Sequence, residues 1–278
     1  MTIVLRILLG LAVVLLPLGH RCIAADNGAI SAADNAAIPA AGNGAISRGY
    51  EAVKTDFGNF YLDRENLTRL GIGVGVAAVF ANTNIDMYIR NKYQNSARSH
   101  VTDQATKIFN ISAAELALVA VPVYVGTYGA GLWLHNPTME EWARKSVRAT
   151  VVGGPALVFL AVATGGDRPT DGDSHWNPFQ NTHGVSGHTY FGAVPFITAA
   201  KMSENPYQKA IFYGLSTFPA LARINDDEHY FSQVALGWYL AYLSCAVVEK
   251  GTDRQEGRMH VQLAPVPKGI AITVQKRY

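Results

Sequence analysis

The chain reads as an all-α protein, a bundle of about six core helices with a small C-terminal β-hairpin appendage. Three observations predict this. Apolar segments of helical length recur between Leu67 and Val248, separated by polar connections. Capping-box pairs, Ser112 with Glu115 and Thr138 with Glu141, stand where two helices should begin. Alternating, β-branched residues appear in the tail, after the last helical segment.

The elements follow in order. Arg6, the apolar run Ile7 to Leu18 and the small residues Ala24 and Ala25 form the pattern of an export signal over residues 1–25. The run is too short to span a bilayer, which needs about 20 residues. Arg21 before Cys22 is not the small residue a lipoprotein site requires. Cleavage near Ala25 leaves Cys245 as the lone cysteine, so no intrachain disulfide forms, and its apolar neighbours make it a buried, inert thiol. Residues 26–48 repeat the phrase Asn-Gly-Ala-Ile-Ser and read as a flexible linker.

Residues 49–250 form the helical domain. The stretch 49–66 reads as one amphipathic helix, and Leu67 to Ala81 is the first apolar segment. Gly71, Gly73 and Gly75 inside it lack a strand–turn–helix context, so they suit close helix packing rather than a nucleotide loop. Ser112 opens the second segment, which ends at Leu134. Thr138 opens a helix carrying Arg144, Lys145 and Arg148, followed by a third segment, Ala149 to Thr164. His188 to Ala200, Ala210 to Ala222 and Tyr230 to Val248 are the fourth to sixth, with a break at Asn205-Pro206. The tail, 251–278, holds Val261 to Val266 and Ile270 to Val274 around Pro267-Lys268-Gly269, a hairpin signal.

Composition excludes some functions. Apolar residues make up 49% and charged ones 16%, and the net charge is +2. No basic stripe for nucleic acid is present. A mean hydropathy of +0.09 is low for a polytopic membrane protein. The second segment is long enough to span, the third and sixth are marginal, and the fourth and fifth are short. Basic residues at 144–148, 201–209 and 250–254 alternate with Asp167, Asp171, Asp173 and with Asp226, Asp227, Glu228, which by the positive-inside rule puts the acidic loops outside. Parity then conflicts. An external 165–187 loop requires the first segment to start inside, whereas a cleaved export signal leaves it outside. With the short fourth and fifth segments, this favours an exported protein in the cell envelope, periplasmic or attached to the outer side of the inner membrane.

Chemistry concentrates between Arg168 and Gln233: Arg168-Pro169, then Ser186-Gly187-His188, then Arg223 followed by His229. Guanidinium forks match phosphate geometry and stay charged. Backbone N–H groups at a helix start, with a hydroxyl, seat anions. Imidazoles move protons near neutral pH. His175 and His183 lie between the motifs as loop or rim residues, with no carboxylate at a metal-binding spacing. Trp176 and Phe179 suit either a greasy rim or the core. Asp226, Asp227 and Glu228 read as a solvated loop whose charge restricts which anions enter.

The stretches AVATGGDRP (161–169), VSGH (185–188) and ARINDDEHYFSQ (222–233) resemble the motifs of the type 2 phosphatidic acid phosphatase (PAP2) superfamily: Lys-x6-Arg-Pro, Pro-Ser-Gly-His and Ser-Arg-x5-His-x3-Asp. That family includes lipid phosphatases, bacterial acid phosphatases and vanadium haloperoxidases. The resemblance implies that His229 is a nucleophile forming a phosphohistidine and His188 the general acid. It implies that Arg168, Arg223, Ser186 and Gly187 bind the phosphate. Four positions depart from the pattern: Val185 for proline, Ala222 for serine, Ala161 for lysine and Gln233 for the aspartate that orients the nucleophile. Gln233 can accept a hydrogen bond from His229 but brings no charge. Spacing gives no support for Lys145 or Arg148 as the missing cation. The expected activity is hydrolysis of a phosphomonoester, lipid-linked as in phosphatidic acid or a small phosphate ester, with no metal or other cofactor. Ala161 and Gln233 also admit a weakly active or inactive member that binds a phosphorylated lipid or a partner. The missing lysine counts against halide oxidation.

Overall fold

A computed structural model describes residues 43–107, 113–256, 260–266 and 269–275, with side chains over 49–107 and 119–252. The expected export signal and most of the expected linker lie outside the described residues.

Helix α1 (Asn43–Tyr61) begins inside the stretch expected to be linker. It buries Ala52, Asp56 and Phe60, four residues apart and therefore on one face. The helix expected over 49–66 stops early. The Asp63 side chain accepts hydrogen bonds from the backbone N–H groups of Glu65 and Asn66, capping a new helix, α2 (Arg64–Ala81). Helices α3 (Ile85–Ser96) and α4 (His100–Thr106) follow in a polar stretch with no assigned element in the sequence reading. A capping box between Ser99 and Thr102 starts α4, and α3 bends 67° away from α2.

Helix α5 (Ala113–Leu134) leads into α6 (Pro137–Thr164), a continuous 28-residue helix. The sequence reading divided α6 into a basic helix and a separate apolar segment. Its start is also displaced from the expected Thr138–Glu141 capping box. The Asn136 side chain accepts from the Met139 N–H, and Pro137 fills the first helical position, where its missing donor costs nothing. The other expected box depends on Ser112, outside the described residues.

Helix α7 (Gly187–Met202) matches the fourth segment. The fifth divides into α8 (Pro206–Ser216) and α9 (Phe218–Asn225), with Pro219 in the first turn of α9, where its missing N–H costs no helical hydrogen bond. Helix α10 (Phe231–Glu256) is the sixth. Among the described residues the bundle therefore has more helices than the expected six, with α6 and α10 longer than the segments read for them. Strands β1 (His260–Val266) and β2 (Gly269–Gln275) pair antiparallel beyond it.

Helices α6, α7 and α10 pack on one another, with α2 against α10 and α5 against α6. The main core holds Phe60, Val152, Tyr190, Ile197, Leu236 and Leu240; a second joins Tyr124, Trp142, Phe196 and Phe212. Burial of each such large side chain stabilises by about 1.5–3 kcal/mol. Of the three closely spaced glycines only Gly73 is a contact point: a Cβ there would sit 2.4 Å from the Tyr239 ring, while Gly71 and Gly75 face open space.

Length and exposure favour the membrane-associated alternative. Helices α6 and α10 are each long and apolar enough to cross a bilayer, and the bent α2–α3 pair can count as a third span. Merging the basic helix with the third segment gives α6 about 42 Å at 1.5 Å per residue. Val151, Val158 and Phe159 on α6, Ile72, Val76 and Val79 on α2, and Val121, Val125 and Leu132 on α5 are exposed. So much outward apolar surface fits membrane association.

Candidate functional site

The site forms at one end of the bundle, where α6 ends and α7 and α10 begin. The Thr164 hydroxyl bonds back to the Leu160 carbonyl, and Gly165 then takes a left-handed conformation, φ 61°, to end α6. A Cβ on Gly165 would lie 1.9 Å from the Asn177 carbonyl oxygen, so no other residue fits this turn. The chain continues through Asp167 to Arg168, whose carbonyl accepts from the N–H groups of Asp171 and Gly172. The loop returns when the His183 N–H bonds to the Gly166 carbonyl at 3.2 Å.

Ser186 is the N-cap of α7. Its hydroxyl accepts from the N–H and the hydroxyl of Thr189, at 3.4 and 3.1 Å, and still has its own proton to donate. Gly187 and His188 occupy the first turn. The Ser186 N–H donates to the Gln233 carbonyl at 3.0 Å, tying the start of α7 to α10. Gly237 permits this approach: a Cβ there would stand 2.5 Å from the Ser186 carbonyl oxygen. That glycine is one turn beyond Gln233 on the face that carries His229.

Arg223, buried in α9, bonds Asp226 at 3.0 Å. Its carbonyl accepts from the N–H groups of Glu228 and His229, which folds the acidic loop beneath His229. His229 is only 7% exposed. Its Nδ1 lies 2.8 Å from Gln233 Oε1. The same oxygen accepts from the Tyr230 backbone N–H at 3.1 Å, and Gln233 Nε2 donates to the Asp167 carbonyl at 2.7 Å. A backbone N–H needs an oxygen and a carbonyl needs an N–H, so these two contacts fix the Gln233 amide orientation. An oxygen facing Nδ1 requires Nδ1 to carry the proton. The lone pair of a neutral His229 is then on Nε2. Burial, opposed by the Gln233 hydrogen bond and reinforced by His188, His183 and Arg168, lowers the His229 pKa to about 3.

Sequence reasoning missed several parts. Buried Asp86, on α3, accepts from the Ser232 N–H and hydroxyl and so caps α10 from another helix. Arg90, one turn later, holds Asp227 through two hydrogen bonds of 2.7 and 2.5 Å. Nothing local marks either residue, since their partners are more than 130 positions away. His183, read as a rim residue, has its ring centroid 6.3 Å from that of His229. Burial first, and then Arg168, lower its pKa.

The three acids read as solvated loop are in fact each paired with an arginine: Asp226 with Arg223, Asp227 with Arg90 and Glu228 with Arg168. Trp176 packs against the main core, while Phe179 points outward. Ala161 packs against that core as well. Lys145 and Arg148 do not approach the site. Lys145 pairs with Glu141 and Glu249, and Arg148 with Asp56, at the far end of α6.

The fold thus gathers Arg168, Ser186, Gly187, His188, Arg223, His229 and Gln233 at one end of the bundle. A family model described as the PAP2 superfamily matches residues 149–255, which contain all seven. Neither the curated proteins nor the solved structures compared give a match. The match supports membership of the PAP2 superfamily for residues 149–255.

Proposed function

We propose that the chain hydrolyses a phosphomonoester carried on a lipid, of the phosphatidic acid type, through a phosphohistidine. The observation that carries this reading is the hydrogen bond from His229 Nδ1 to Gln233 Oε1, which leaves Nε2 free to attack. In the first step Nε2 forms a bond to phosphorus as the ester P–O bond breaks. The leaving alkoxide takes the bond's electron pair and a proton from His188. Arg168, Arg223 and the N–H groups at the start of α7 stabilise charge on the non-bridging oxygens. His188, now neutral, takes a proton from a water whose oxygen bonds to phosphorus as the P–N bond breaks and its electron pair returns to Nε2, releasing phosphate and restoring both histidines. The low His229 pKa keeps this histidine neutral, as a nucleophile must be.

The lipid assignment rests on the two span-length helices and the exposed apolar surface. Exposed Arg144, Lys209 and Lys250 lie at the end of the bundle away from the site, which by the positive-inside rule supports a site on the outer face, compatible with export and cleavage near Ala25 if the α2–α3 pair does not span. N-terminal sequencing of the membrane-extracted protein tests the cleavage.

The deciding experiment is phosphate release from phosphatidic acid and p-nitrophenyl phosphate, beside His229→Ala. Release that vanishes in the variant supports the mechanism; equal release in both overturns it. A second reading has its own observation. Gln233 supplies no charge to a developing imidazolium, and no lysine stands at 161. In that reading the chain binds a phosphorylated lipid or a partner with little or no turnover. Substantial release by the unaltered chain excludes it. A gain of turnover when Ala161→Lys and Gln233→Asp are combined in an otherwise inert chain favours it.

A further inference from the structure

Each arginine around the site takes a carboxylate from one of three consecutive residues, yet the three pairs differ in burial. The Arg223 side chain is 4% exposed and its partner Asp226 20%. Arg90 and Asp227 are 26% and 18% exposed and are joined by two hydrogen bonds. Arg168 and Glu228 are 35% and 36% exposed, the most open pair, and Arg168 Nη1 alone makes the contact. The loop is therefore pinned at Asp226 and Asp227, and Glu228 is its most accessible member. Glu228 places an anion on one of the two guanidinium groups proposed to hold the substrate phosphate.

Resting on the phosphatase reading, we propose that Glu228 is a resident competitor for the phosphate seat. Its carboxylate occupies Arg168 in the empty site, leaves when a phosphate enters, and returns as the product departs. Phosphate alone pays the whole cost of displacing it. A lipid phosphate offsets that cost with contacts made by the rest of the molecule. The device weakens product retention in a site otherwise built to hold anions, and favours substrates with binding surface beyond the phosphoryl group.

Calorimetric titration of inorganic phosphate into the full chain in detergent micelles tests this. The variants are Glu228→Gln, which keeps the shape and loses the charge, Glu228→Ala, and Arg168→Ala. Removing the competitor should tighten phosphate binding roughly two- to fivefold, the scale of a half-exposed ion pair. Both Glu228 variants must move in that direction with melting midpoints near that of the unaltered chain, and Arg168→Ala must bind more weakly. Equal or weaker binding by the Glu228 variants, with Arg168→Ala still impaired, overturns the proposal and shows that Glu228 positions Arg168 while the phosphate seat stands. Absence of phosphate binding in every variant overturns the proposal and the phosphate-seat reading together.

Discussion

The two ends of the bundle use the same chemistry differently. At the far end, Arg148 and Asp56 are joined by hydrogen bonds of 2.7 and 2.9 Å, and Thr252 accepts a third, with Asp56 fully buried. Lys145 sits nearby between Glu141 and Glu249. These pairs link α1, α6 and α10. At the site end, arginine–carboxylate pairs join a loop to the elements around it, and the Arg168 pair is over a third exposed on both sides. A buried pair cannot open without stranding a charge in a poor solvent. An exposed pair exchanges its partner for water or for another anion at little cost. Burial, rather than charge, separates a lock from a ligand-exchange site.

The largest effect should come from breaking the lock. Arg148→Ala leaves Asp56 as an uncompensated buried carboxylate and should cost about 3–5 kcal/mol, read as a lowered melting midpoint in detergent. Combining Asp56→Leu with Arg148→Met should recover most of that loss. If the single variant is as stable as the parent, the far end is no lock and the contrast fails.

The next effect belongs to the site end and is set by pH. His229 has a folded pKa of about 3 against about 6.5 unfolded, so the folded state binds fewer protons between those values. Its contribution to stability is fully present above pH 6.5 and is lost as the pH falls towards 3. The change is on the order of a few kcal/mol. His183, shifted in the same direction, adds to it. Melting midpoints measured from pH 7 to pH 4 should fall less steeply in His229→Asn than in the parent. Parallel slopes would show that His229 is not buried neutral.

What could be read from the sequence follows the same division. The residues singled out by their spacing, Arg168, Ser186, Gly187, His188, Arg223, His229 and Gln233, all come to one end of the bundle, and the chemistry proposed for them is left to the His229→Ala comparison. The apolar segments gave the main helices, to within a few residues for α2, α5 and α7, while α10 runs on past the expected Val248 to Glu256. Contacts set by packing were not legible. Asp86 capping α10 and Arg90 holding Asp227 join residues 146 and 137 positions apart on a polar helix with little apolar pattern. The α6 start was misplaced because Thr138 and Glu141 satisfy the capping pattern as well as Asn136 does. Spacing gave Lys145 and Arg148 no place in the site, but the carboxylates that hold them, Glu141, Glu249 and Asp56, could not be told from a sequence that shows charge without its partner.

Gln233 connects site chemistry to stability at a smaller scale. Gln233→Ala removes the acceptor for His229 Nδ1 and the Tyr230 N–H, and the donor to the Asp167 carbonyl. The orphaned buried groups should cost about 1–3 kcal/mol. If turnover is present, it should fall further than in a far-end variant of equal stability, because the His229 tautomer is no longer fixed. Equal losses of activity at equal stability would remove Gln233 from the site.

The smallest expected effect is at Asp227, and it sharpens the comparison most. Its backbone is left-handed, φ 56°, which asparagine and aspartate tolerate better than most residues. Asp227→Asn keeps that tolerance and loses only the charge opposite Arg90, so it should cost less than about 1 kcal/mol. Asp227→Ala loses both and should cost somewhat more, the difference isolating the backbone preference from the ion pair. Neither should approach the loss from Arg148→Ala, although Arg90 also meets its partner through two hydrogen bonds. If Asp227→Asn proves as damaging as Arg148→Ala, the acidic loop is held as rigidly as the far-end lock. Glu228 would then be unable to leave Arg168, and partial exposure would be a poor guide to which ion pairs exchange.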